Sequence, residues 1–134
     1  SVESVLSHAI FAIPATKGIE FGSGFAAASM TGAEHNDNII DDKGTTETNH
    51  AGGINGGISN GNELVFRIAT KPTSSIGKAQ QTMNFEKGKV DELVIKGRHD
   101  ACVALRVPPI LEAMTAIVLA DFMLLEQQTG RVYK

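Results

Sequence analysis

The sequence lacks most of the groups that announce a chemistry by themselves. Cys102 is the single cysteine among 134 residues. An internal disulfide is therefore impossible, and a lone thiol suits a reducing, cytoplasmic setting. One thiol also makes no zinc site, and His8, His35, His50 and His99 have no metal-ligand spacing, so no metal is expected. Basic residues are not in excess. Twelve lysines and arginines stand against 15 carboxylates, a formal charge of −3, which gives no electrostatic case for nucleic acid as a partner. No uninterrupted apolar run approaches the roughly 18 residues that cross a bilayer. No basic stretch precedes an apolar one at the start, as a secretory leader requires. Neither a membrane span nor a leader is expected. G-x-x-x-x-G-K-[ST] and G-x-S-x-G are both missing, which speaks against a nucleotide triphosphatase and a hydrolase elbow. Internal repeats and low-complexity tracts are missing too.

What is present describes an ordinary globular chain, 42% hydrophobic and 20% charged. Residues 1–134 fit one domain, expected to bury about two-thirds of its unfolded surface. Helical patterning begins at Val2 with no initiator methionine, so the chain reads as a piece of a longer protein.

The organising stretch runs from Asn49 to Ser75. Gly52, Gly53, Gly56, Gly57 and Gly61 fall within a few residues of one another and give way to the alternating Leu64–Thr70, then Lys71-Pro72-Thr73-Ser74-Ser75. Glycines permit positive φ and close backbone approach, and bare N–H groups cradle anions. Lysine and hydroxyls beyond a strand add to that. Both a pocket for a phosphorylated ligand and a mobile surface loop remain open on this composition.

Elsewhere the spacing of Val2, Val5, Leu6, Ala9 and Ile10 predicts an amphipathic helix ended by Pro14, with His8 as a core or rim residue. Short strands interrupted by glycine are expected over 17–25. Gly22-Ser23-Gly24-Phe25-Ala26-Ala27 has a dinucleotide-fingerprint form, but Thr31-Gly32 leaves no room for the long helix that must follow. The acidic run 32–48 reads as a solvated loop rather than a calcium site, since Ile39 and Ile40 fall where ligands should alternate. In 64–70, Leu64, Phe66 and Ile68 share one face; Val65, Arg67 and Ala69 share the other. Strands are expected at 80–85 and 90–95, and short polar turns favour an antiparallel sheet. Lys96-Gly97-Arg98-His99-Asp100 is dense in charge, and reads either as a surface cluster or as a site in which Arg98 grips an anion. Cys102 reads as a packed thiol. Pro108-Pro109 opens the longest helix, which is apolar around most of its circumference and so buried or partnered. Gly130 is its expected stop. The fold class is α+β, an antiparallel sheet packed on long buried helices.

Several motifs taken in order give a sharper expectation. Lys17–Phe25, Asn49–Gly53, Gly56–Ser59, Lys71–Ser75, Lys96–Asp100 and Glu112-Ala113-Met114 together resemble chorismate synthase, from the first helix to about Leu125. The resemblance implies the C-terminal part of a longer enzyme, without the half that carries two catalytic histidines and several phosphate-binding arginines. It implies a β-α-β sandwich, a homotetramer and a flavoprotein lyase. That enzyme eliminates phosphate from 5-enolpyruvylshikimate 3-phosphate to give chorismate, in the shikimate pathway of aromatic amino acid biosynthesis, and requires reduced FMN. By position, cofactor contacts fall on Pro14, Ala15, Gly56, Lys71, Pro72, Thr73, Ser74, Ser75 and Arg98. Catalytic roles fall on Arg98 and on Asp100, the proton-handling carboxylate. Three places depart from the family pattern: Pro14 replaces an asparagine, Ala101 replaces the proline after Asp100, and Arg106-Val107-Pro108-Pro109 replaces Arg-Ala-Val-Pro. The other function class left open is a flavin- or phosphate-binding or assembly module, inactive in isolation.

Overall fold

The computed structural model describes residues 1–128. Ser1 caps the first helix, its hydroxyl accepting the Ser4 N–H at 3.4 Å. Helix α1 spans Val2–Phe11 and ends ahead of Pro14, because a residue before proline is pushed out of the helical region. Leu6 and Ile10, four apart on one face, are fully buried. His8 is instead exposed: it lies off the Leu6–Ile10 face, so the expectation of a core position does not hold. Strand β1, Thr16–Phe21, pairs antiparallel with a later strand, Phe66–Thr70. That later strand alternates as its sequence predicts, with Phe66 and Ile68 turned to the core and Arg67 and Ala69 exposed. Phe21 and Phe66, directly paired, bring their rings to 5.7 Å.

The segment between these strands is held by long-range hydrogen bonds. A 3-10 turn at Gly24–Ser29 follows β1 in place of any long helix. Helix α2, Gly32–His35, is one capped turn in which Thr31 and Glu34 bond reciprocally. The acidic run beyond it folds back on itself: Ile39 bridges Thr46, and Glu47 N–H donates to Asn38 O at 2.8 Å. Strands β2, Ile54–Asn55, and β3, Ile58–Ser59, form a minimal hairpin turning on Gly56-Gly57. The long strand Phe66–Thr70 is then β4. Gly52 and Gly53 are buried. A Cβ on Gly52 would lie 2.5 Å from Gly22 N and 2.6 Å from Val65 O. These glycines therefore let three backbone segments touch, and are not a bare anion cradle.

Strands β5, Gln80–Asn84, and β6, Lys89–Leu93, make a solvent-exposed antiparallel hairpin. The three ladders, β1-β4, β2-β3 and β5-β6, remain separate. A single sheet was expected. The difference follows from β5 and β6, whose residues are nearly all exposed and so offer no apolar face to join a common core.

A second 3-10 turn, Val103–Arg106, leads into helix α3, Val107–Gln128. Cys102 stands just before that turn and is exposed, not packed. The expected stop at Gly130 lies outside the described residues. Val107 and Val118 are buried with Leu6, Ile10 and Ile13, and Leu111, Met114 and Phe122 pack around them. The opposite face stays open: Ile117 is 63% exposed and Met123 65%. The expectation of long buried helices is thus met on one face only. Within residues 103–128 an 18-residue window reaches a mean hydropathy of 1.7, which makes one helix among the described residues long and apolar enough, by length and composition, to cross a membrane. Counting uninterrupted apolar runs missed it because Glu112, Thr115 and Asp121 break the run singly. Accessible surface totals 9989 Å², against about 6,800 Å² for a compact monomer of this mass. Burial therefore reaches about half of the unfolded surface rather than two-thirds.

Candidate active site

The end of the β1-β4 ladder sets the site. One step past the Thr16–Thr70 pair, Lys71 N–H donates to Ala15 O at 2.8 Å. This bond places Pro14 and Ala15 beside the start of the Lys71–Ser75 run. Ile13, buried against α1 and α3, anchors the turn. Ala15 adopts a φ of 71°, the one non-glycine residue with positive φ among those described. A left-handed alanine costs about 1–2 kcal/mol, so the surrounding bonds hold it there. Strain of this kind gathers at functional sites.

Opposite stand Asp100 and Arg106, whose side chains pair at 3.2 Å. Together with Ile13, Val103, Val107 and Ile110 these groups enclose a cavity of about 360 Å³, lined on its polar side by Lys71 through Ser75. That volume lies at the low end of small-molecule sites, about 300–1,000 Å³. Lys71 has no carboxylate partner among the described residues. Thr73 Oγ1 is buried without a hydrogen-bond partner, which is costly unless something else satisfies it. A smaller depression of about 250 Å³ adjoins across Thr70–Thr73 and reaches Cys102.

A larger cavity, about 650 Å³, lies elsewhere, between Val2, the β2-β3 hairpin and the end of α3. Its lining is apolar except for Ser1, Ser59, Glu126 and Gln127 and brings no basic side chain among the described residues. The convergence of charge and hydroxyls, not size, places the candidate site at Lys71.

The structure brings together Pro14, Ala15, Lys71, Pro72, Thr73, Ser74, Ser75 and Asp100. It does not bring Gly56 there, which is exposed at the hairpin tip, nor Arg98, which is exposed and not among the lining residues. Two residues that sequence reasoning gave no role at this site adjoin it. Arg106, not Arg98, is the cation on Asp100. His99 bonds Ser75, with Nδ1 3.0 Å from Oγ, and its Nε2 lies 3.1 Å from Ile95 O. The local run of charges was the signal for both; which partner each takes depends on contacts across loops.

His50 belongs to a separate, structural cluster. Its Nδ1 is 2.8 Å from Ser23 Oγ. Asp37 accepts the N–H groups of His50 and Ala51 at 2.7 and 2.9 Å and the Thr48 hydroxyl at 2.7 Å. Burial pushes the Asp37 carboxyl up, but the Ala51, Thr48 and His50 donors, with electrostatic help from His50, hold it below the ordinary 3.8.

A mixed helix-and-ladder unit with one cavity joining an unpaired lysine, hydroxyls and an ion-paired carboxylate over an apolar floor has the make-up of an enzyme pocket for a small anionic ligand. The sequence model of the family described as chorismate synthase matches residues 1–124, and the chain belongs to that family. A chorismate synthase of Chitinophaga pinensis is 64% identical over the whole chain, which covers 40% of that relative. One from Archaeoglobus fulgidus is 50% identical over 93% of the chain and 35% of the relative. A chloroplastic one from Capnoides sempervirens is 48% identical over 98% and 30%. Among solved structures, a chorismate synthase crystal structure aligns with a TM-score of 0.50 and 38% identity, over 53% of this chain and 22% of that one. The chain thus spans well under half the length of these relatives.

Proposed function

We propose that the chain is the C-terminal part of a chorismate synthase and that the Lys71–Asp100 cavity holds its cofactor. The reaction is the anti-1,4-elimination of phosphate from 5-enolpyruvylshikimate 3-phosphate, yielding chorismate for aromatic amino acid synthesis. In the full-length protein it runs in a cytoplasmic homotetramer with a sandwich of helices between antiparallel sheets. The observation that carries this reading is the meeting of Lys71, the 73–75 hydroxyls and Asp100 around one cavity in a chain of this family.

The residues present fit FMN. An uncompensated lysine and a buried, unpartnered Thr73 hydroxyl suit its phosphate, and Ile13, Val103, Val107 and Ile110 give its ring an apolar surface. Reduced FMN, when bound, would supply transient electron density for C–O cleavage with no net redox change. Lys71 would neutralise the phosphate tail, and Ser74 and Ser75 would bind it; Pro14, Ala15 and Pro72 shape the wall. In the elimination a C–H bond breaks, a double bond forms, and phosphate leaves with the C–O electron pair. Asp100 accepts or relays the proton, and Arg106 fixes its orientation. Arg98 and Gly56 stand outside this cavity, so their contacts require the 94–102 segment and the hairpin tip to turn toward it.

The isolated chain is, on this account, a flavin- and phosphate-binding or assembly module without turnover of its own. The test of the catalytic role is Asp100→Asn in a polypeptide of the relatives' full length. Turnover should fall on the order of a hundredfold with FMN affinity little changed. Wild-type turnover would remove Asp100 from the chemistry.

A further inference from the structure

We infer that His99 is a positioning residue that couples proton uptake to the binding of a phosphate monoester at Ser75, an inference that rests on the flavin-phosphate reading above. A carbonyl oxygen only accepts, so the contact of His99 Nε2 with Ile95 O at 3.1 Å puts a proton on Nε2. In the neutral ring Nδ1 is then a bare acceptor, and the Ser75 hydroxyl 3.0 Å away must donate to it. Ser75 thereby spends its one proton on the ring and presents only lone pairs to the cavity it lines. An anion finds no hydroxyl donor there. When the ring takes a second proton, Nδ1–H donates to Ser75 Oγ. The hydroxyl proton is released and turns toward the cavity, where a phosphate oxygen accepts it. Binding and protonation therefore favour each other by the same factor.

Lys71, Asp100 and Arg106 line the same cavity, and Asp100 and Arg106 are paired with each other. Lys96 and Arg98 share the loop of His99, and Lys78 follows Gly77, whose Cβ position lies 3.7 Å from the ring.

The experiment uses a polypeptide of the relatives' full length and titrates FMN, riboflavin and 5-enolpyruvylshikimate 3-phosphate at pH 6 and pH 8, where imidazoles titrate. FMN should bind about tenfold more tightly at the lower pH, and riboflavin equally at both. His99→Gln keeps an N–H for Ile95 but does not titrate, so it should flatten the FMN profile; Ser75→Ala should flatten it too. Both variants face the same titration of the ligand phosphate as the wild type, which cancels that contribution. A pH effect confined to the substrate arm, and lost in both variants, would support the coupling and assign Ser75 to the substrate phosphate. A His99→Gln profile as steep as wild type would overturn the inference and leave the flavin reading standing. No FMN binding by the wild type at either pH would overturn the flavin reading and this inference with it.

Discussion

At the scale of single residues, backbone positions carry more of the account than side-chain types. Ala15 sits at positive φ because Lys71 N–H and the Thr16–Thr70 pair close around it. Ala15→Gly should relieve that strain and raise stability by about 1 kcal/mol, read as a higher thermal midpoint. A lower midpoint would mean that the methyl group packs to advantage. Asp37 does the opposite service, collecting three donors from the 48–51 turn. Its folded pKa is depressed, so its stabilisation is complete above the unfolded value near 3.8 and is lost as pH falls through the lower folded value. Denaturant titrations across that acid range should show a steeper stability loss for wild type than for Asp37→Asn. At neutral pH, Asp37→Ala should cost about 2 kcal/mol by stranding two N–H groups.

At the scale of elements, what could be read from sequence was what depends on near neighbours. The three-and-four spacing of Leu6 and Ile10 located α1, the alternation of Phe66 and Ile68 located β4, and Pro108-Pro109 located the start of α3. Contacts between distant segments stayed hidden. Nothing near Asp37 announces that it caps a turn 11 to 14 residues on. Gly52 and Gly53 could be read as part of a ligand cradle because composition cannot distinguish room for a phosphate from room for another backbone. Cys102 looked packed because its class usually is, yet it lies at a turn entrance. The Lys71–Ser75 run was legible as a motif, whereas its neighbours Arg106 and His99 are set by loop geometry. The small core makes one element-scale prediction sharp. Leu6→Ala should cost about 3 kcal/mol, while Val5→Ala on the open face should cost much less. Comparable losses in equilibrium unfolding would mean that α1 packs by another face.

At the scale of the whole molecule, excess surface is the dominant fact. An exposed area of 9989 Å² and the bare face of α3, with Ile110, Ile117 and Leu124 about half exposed or more, exceed what a stable monomer of this size presents. The 134-residue chain alone should therefore bind a hydrophobic dye such as ANS strongly and convert no substrate, and a polypeptide of the relatives' full length should bind the dye weakly. Equal dye binding would mean that the α3 face is open in the full protein as well. The most direct measurement of the central claim compares FMN and riboflavin affinities for wild type and Lys71→Ala at full length. The account predicts that the variant loses about tenfold or more in FMN affinity and keeps its riboflavin affinity. Equal loss for both ligands, or for neither, would contradict it, because Lys71 would then not be meeting the phosphate.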